Sequence, residues 1–128
     1  MSKSRCPCGL NINYEECCGL FINSQQLPVH PEQLMRSRYT AFTEANMDYI
    51  QKTMRGPITK NNDIEQTRQW AKEVKWLKLE VLHSEINSLD PNQGLVEFEA
   101  HYQQNHQPHV IHERSLFKKI EGHWFYIG

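Results

Sequence analysis

The chain has 128 residues, the size of one domain able to bury a core of its own. A formal net charge of -1 argues against a general electrostatic grip on nucleic acid, which needs a basic surface. No run of about twenty apolar residues reads as a membrane span, and the N-terminal stretch carries Cys, Asn and Glu where a signal peptide would be apolar. A cytoplasmic location is therefore expected, and that compartment keeps thiols reduced.

The first element is a cysteine cluster. All four cysteines lie in Cys6-Pro7-Cys8-Gly9 and Cys17-Cys18-Gly19. Zinc takes four thiolates at about 2.3 Å in a tetrahedron, and two close pairs joined by a loop supply them. The loop from Gly9 to Glu16 is long enough for a turn and a short helical start. Glycine after each pair permits positive φ and close backbone approach. The competing reading is disulfides or free thiols; a bond between adjacent Cys17 and Cys18 would be strained, and cross-pairing needs an oxidising compartment. Four sulfurs leave no open coordination position, so a metal here is expected to be structural.

Leu20 to Val29 reads as a connector. Pro31 suits the first turn of a helix and Glu32 its positive end; Leu34, Met35, Ala41, Phe42 and Ala45 then recur at helical spacing. A second helix is predicted over Met47–Met54, stopped by Gly56-Pro57. A third starts from Asp63 as N-cap and reaches Lys75, with Ile64, Arg68, Ala71 and Val74 inward. The period then changes to two. Leu77–Val81, Val96–Tyr102, His109–Ile120 and His123–Ile127 read as strands, separated by turns at Asp90–Gly94, Asn105–Pro108 and Glu121-Gly122. Helices followed by an antiparallel meander define an α+β fold of about three helices on a four-stranded sheet. The last two strands carry apolar residues at both parities, among them Val110, Leu116 and Trp124 against Ile111, Phe117 and Phe125. The second sheet face is thus expected to be covered, by the cysteine segment or by a second copy in a homodimer.

Cys-Pro-Cys-Gly, a polar loop with Tyr14, then Cys-Cys-Gly resembles the SEC-C motif, a zinc knuckle also found at the C-terminus of the SecA translocation ATPase. Leu34-Met35-Arg36-Ser37-Arg38-Tyr39-Thr40-Ala41-Phe42 and His112-Glu113-Arg114-Ser115-Leu116-Phe117 resemble the bacterial YchJ-like family, in a match over essentially the whole chain. The resemblance implies a knuckle over residues 1–27, a nuclear-transport-factor-two-like (NTF2-like), cone-shaped α+β domain over 28–128, and no established biochemical activity. The sequence departs from the family's pattern in Gly9-Leu10-Asn11, where Gly-Ser-Gly is usual. It also runs to Trp124-Phe125-Tyr126-Ile127-Gly128 without the second, C-terminal knuckle of many relatives.

One charged residue stands out. At 100° per residue, Leu34, Met35, Ala41, Phe42 and Ala45 lie within roughly 60° of Arg38, placing it in the apolar stripe, while Arg36 points away and is expected in solvent. A guanidinium facing a core needs compensation. Glu113, among Ile111, Ser115 and Phe117 on one strand parity, is the expected partner, with Tyr39 beside it. This group reads either as a structural ion pair or as the polar floor of a ligand pocket lined by Arg38, Tyr39, Glu113 and Ser115, with His83, His101 and His112 as further candidates. No Ser-His-Asp ordering, paired-carboxylate motif or Gly-rich phosphate loop is recognisable, so no catalytic residue is assigned. The expected function is a zinc-stabilised binding or adaptor module whose knuckle presents Asn11, Asn13, Tyr14 and Glu15 to a partner protein. The alternative is a small-molecule-binding protein or weak enzyme using the pocket at Arg38.

Overall fold

The computed structural model describes residues 5–57, 59 and 63–128; the first four residues of the expected knuckle lie outside it. A 3-10 turn over Tyr14–Glu16 leads into α1 (Cys18–Ile22), followed by α2 (Pro31–Thr43), α3 (Met47–Lys52) and α4 (Ile64–Glu73). Four strands complete the chain: β1 (Lys75–Ile86), β2 (Gln93–Gln104), β3 (Gln107–Ile120) and β4 (His123–Tyr126). They form one antiparallel sheet in the order β1-β2-β3-β4. The α+β architecture follows the sequence pattern, with an additional short α1 that bridges the second cysteine pair and the start of the expected connector.

Local chemistry explains the helix starts. The His30 ring Nδ1 accepts from the Glu32 amide at 3.1 Å, and Pro31 occupies the first turn, where an N–H is not needed. Asp63 caps α4 through the Gln66 amide at 3.0 Å. The last turn of α3 is tied to β4 through the Tyr126 amide, which donates to the Thr53 carbonyl at 2.8 Å.

The sheet is longer and more bent than its alternation suggests. β1 runs through Leu77 and Leu82, where the register against β2 shifts. Such irregularities bend a strand, and they break the period-two pattern that marks it in sequence. The turn between β2 and β3 is shorter than predicted. Asn105 and His106 alone, at φ 54° and 64°, form it, and Pro108 enters the strand opposite Gln103. Two successive positive-φ residues are the twist-compatible hairpin solution.

The core lies between α2 and the inner sheet face, where Leu79, Val96, Phe98, Ala100, Phe117 and Trp124 are buried. Pro31 packs so closely on β2 that a β-carbon on Gly94 would stand 2.4 Å from the proline Cγ. The knuckle, the first of the two covers expected, does not lie over the outer sheet face. It packs on α2, and Val110 and Leu116 remain about half exposed. The physical reason is visible along α2, where Arg36 and Thr40 meet the knuckle and hold it against the helix.

Candidate metal centre and cavity

The knuckle is built around its sulfurs. The Cys6 amide donates to the Ile12 carbonyl at 2.7 Å, closing the loop; the Cys17 amide donates to Tyr14 at 3.0 Å. Gly9 has φ 94°, as a tight turn after the first pair demands. Gly19 lies instead within α1, where its missing side chain lets the Tyr14 carbonyl and ring approach to within 3 Å of a β-carbon position.

All four cysteines are buried, and their sulfurs lie within 4.8 Å of one another. Cys8 and Cys17 sulfurs are 3.6 Å apart, far beyond a disulfide bond of about 2.05 Å. Tetrahedral coordination at about 2.3 Å sets sulfur–sulfur edges at roughly 3.8 Å, so the cluster fits a soft divalent ion. Outside the sulfurs, the Thr40 hydroxyl lies 3.6 Å from Cys6, and the Arg36 Nη1 donates to the Cys8 carbonyl at 2.7 Å. The thiols have divided affinities for protons. Hydrogen bonds from Cys18 and Cys8 pull the Cys6 thiol down; hydrogen bonds to Cys6 and Cys8, with burial, push Cys18 up; burial and the Cys8 charge lift Cys17 to about 12. A cation among them resolves that competition by favouring the thiolate at every ligand.

Arg36, expected in solvent, thus clamps the knuckle. Its Nε donates to Glu32 at 2.9 Å, and the other Glu32 oxygen accepts from Ser84 of β1 at 2.9 Å. One polar chain therefore joins knuckle, helix and sheet. Its only sequence signal is the Glu32/Arg36 spacing of four, which usually marks a solvated surface pair.

The second site is a cavity of about 200 Å³ between α2, α4 and the sheet. Arg38, Tyr39 and Glu113 line it together with Phe42, Trp70 and Trp76. Ser115 does not; it is buried and donates to Glu113 at 2.9 Å. Arg38 is buried at 4% exposure, in agreement with its place in the apolar stripe. The expected ion pair with Glu113 is absent. The Arg38 Nη1 donates to the Ile50 carbonyl at 2.9 Å and the Thr53 hydroxyl at 2.6 Å, and its Cζ lies 4.4 Å from the Tyr126 ring centre. Glu113 is exposed on β3, where Ser115 and Tyr126 hold it. A carbonyl, a hydroxyl and a ring face thus replace the carboxylate in compensating the cation. The last turn of α3 supplies the first two, and helical spacing in α2 could not reveal them. Burial draws Arg38 down to about 10, against the pull of Tyr126, Tyr49 and Glu113, so it stays charged at neutral pH. Burial also raises Tyr39 to about 12 and raises Tyr126, leaving both phenols protonated.

The candidate histidines lie elsewhere. His83 and His112 are exposed beside Glu85 and Glu97, and His101 lies near Glu80 and Glu99.

A four-cysteine knuckle packed on the helix of a cone-shaped α+β domain defines a SEC-C motif protein with an NTF2-like body. The comparisons agree. The family described as "YchJ, middle NTF2-like domain" matches residues 30–128. A UPF0225 protein of Vibrio parahaemolyticus is 40% identical over 97% of this chain and 73% of its own length. One of Haemophilus influenzae is 38% identical over 99% and 78%. The solution structure of a SEC-C motif containing protein from Rhodopseudomonas palustris has a TM-score of 0.87 at 33% identity, covering 98% of this chain and 96% of that one. A crystal structure of a sec-c motif containing protein from Psychrobacter arcticus gives 0.82 at 26% identity, over 100% and 81%. The chain belongs to the YchJ-like, UPF0225 family.

Proposed function

We propose that this protein is a binding module in which a structural zinc ion, held by Cys6, Cys8, Cys17 and Cys18, braces α2, and the cone behind that helix receives a small molecule. The observation that carries this reading is the cavity of about 200 Å³ with the buried Arg38 guanidinium in its wall. A side-chain core of this size has no need of a charged group; a ligand chamber uses a few placed polar groups in an apolar lining. A thermal-shift screen tests it, run on the wild type and on Ala100→Leu, which fills the chamber from β2. Ligands should raise the midpoint of the wild type and not of the variant. No response to any compound, or equal responses in both proteins, defeats the reading.

A second reading, an adaptor, is favoured by the knuckle's outer edge. Leu10 and Ile12 are 44% and 39% exposed and line a groove of about 440 Å³ that also includes Phe21 and Arg36. Asn11 and Glu15 are exposed beside them, whereas Asn13 and Tyr14 are half-buried. Capture of partner proteins by the wild type but not by Cys17→Ser supports this role; identical partner sets count against it.

A further inference from the structure

We propose that the chamber selects a small monocarboxylate with an aromatic or branched apolar body, its carboxylate held side-on by the Nε and Nη2 edge of Arg38. This rests on the reading of the cone as a binding chamber and names the class of its occupant.

The first argument is the unused half of the guanidinium. Both hydrogen bonds of Arg38 leave from Nη1, to the Ile50 carbonyl and the Thr53 hydroxyl. Among the described residues no carboxylate lies within ion-pair distance of it, and its Nε–H and Nη2 hydrogens have no acceptor. These donors belong to a side chain that is 4% exposed and lines the cavity. Neither nitrogen is among the fully enclosed unpartnered atoms, so a bound group can reach both from the cavity. Two parallel N–H bonds from a guanidinium edge match the two oxygens of a carboxylate.

The second argument is the wall. Phe42, Trp70, Trp76, Phe98 and Ile111 face the same space, and Trp70 meets Trp76 edge to face at 5.3 Å. Such a lining rewards an apolar body and strengthens the ion–guanidinium contact by excluding water. The volume matches roughly seven waters at about 30 Å³ each, hence a molecule of about ten non-hydrogen atoms.

The third argument sets the charge. Glu113 also lines the cavity, held in place by Ser115 and Tyr126. A second negative group on the ligand would meet it, so one carboxylate is accepted and a dianion is disfavoured.

The test uses the full zinc-loaded chain, with 3-phenylpropionate and its neutral amide, 3-phenylpropionamide, as probes. Calorimetry gives the affinity, and tryptophan fluorescence reports occupancy through Trp70 and Trp76. The acid should bind at least about tenfold more tightly than the amide, as expected for a charge-assisted bidentate contact in place of a neutral one. Arg38→Met should abolish that gap and leave amide binding within about twofold; Glu113→Gln should tighten the acid alone. Equal binding of acid and amide overturns the carboxylate assignment while the chamber stands, as does a gap that survives in Arg38→Met. If neither probe binds while Ala100-sensitive ligands are found among neutral compounds, the assignment is likewise overturned. If no compound responds at all, both readings fall. Should Arg38→Met not fold, the acid–amide comparison in the wild type decides.

Discussion

Arg36 reaches from α2 across to the knuckle and gives a 2.7 Å hydrogen bond to the carbonyl oxygen of Cys8, one residue from a turn that the sulfur cluster depends on. The same guanidinium grips Glu32, which in turn accepts from Ser84. A side chain that sequence assigns to solvent is the mechanical link between the cysteine segment and the sheet.

Removing that link has a cost. Arg36→Met is expected to destabilise the protein by about 1.5–3 kcal/mol, the range for hydrogen bonds made by a charged group, and to weaken metal retention. Urea denaturation and zinc competition with a chromophoric chelator measure the two effects. Arg36→Lys should recover only part of either, because an ammonium lacks the fork that serves Glu32 and Cys8 together. Wild-type behaviour of Arg36→Met would refute the link.

Glu32 provides a pH signature. Burial pushes its carboxyl up, but hydrogen bonds from Arg36 and Ser84, with the Arg36 charge, outweigh burial and hold it below the ordinary carboxylate range. A depressed folded-state pKa stabilises the protein above the unfolded value, near 4.5, and that contribution disappears as pH falls through the folded value. Stability of the wild type should therefore decline on acidification below about pH 5 more steeply than that of Glu32→Gln. The side chain is about one-third exposed, so solvent screening keeps the difference small. Parallel curves for the two proteins would contradict it.

The cysteine cluster predicts about one zinc per chain by elemental analysis. Cys18→Ser should lose the ion, and hydrogen exchange should then rise across residues 5–22 and along α2. Chelation of the wild type should have the same effect. Metal uptake should release protons, because burial lifts Cys17 to about 12 in the metal-free cluster and thiols must give up protons to bind. Zinc affinity must accordingly fall as pH is lowered. A protein that is metal-free when purified under reducing, chelator-free conditions, and unaffected by Cys18→Ser, would exclude this.

Glu113 should be nearly silent in stability. Exposed on β3 and without an ion pair to Arg38, its replacement by Ala is expected to cost less than about 1 kcal/mol. A loss of 3–5 kcal/mol would mean that it does neutralise a buried charge.

Sequence carried much of this architecture. Pro31 and Asp63 announce their helices, and β2 alternates cleanly from Val96 to Tyr102. The paired cysteines mark the buried sulfur cluster, whose four ligand atoms lie close enough together to hold a metal. Arg38 was placed in the core by helical geometry alone. Its partners were not, since Ile50 contributes a backbone carbonyl and carbonyls leave no trace in residue identity. The knuckle's seat was missed for a related reason. It rests in part on Arg36, which reads as solvent-facing because its partner there is the backbone carbonyl of Cys8. The period-two pattern of β1 ends at Val81 because a register shift inverts the alternation beyond it.

The two sides of α2 face two different candidate sites. Thr40 meets the Cys6 sulfur and Arg36 the Cys8 carbonyl, while Arg38 and Tyr39 line the cavity, so one helix carries contacts to both. On the function proposed above, thermodynamic reciprocity requires that whatever the ion contributes to the guest's residence, the guest returns to the ion. On that same proposal, metal starvation would make such a chain a poorer receptor without any change in the residues that touch its cargo.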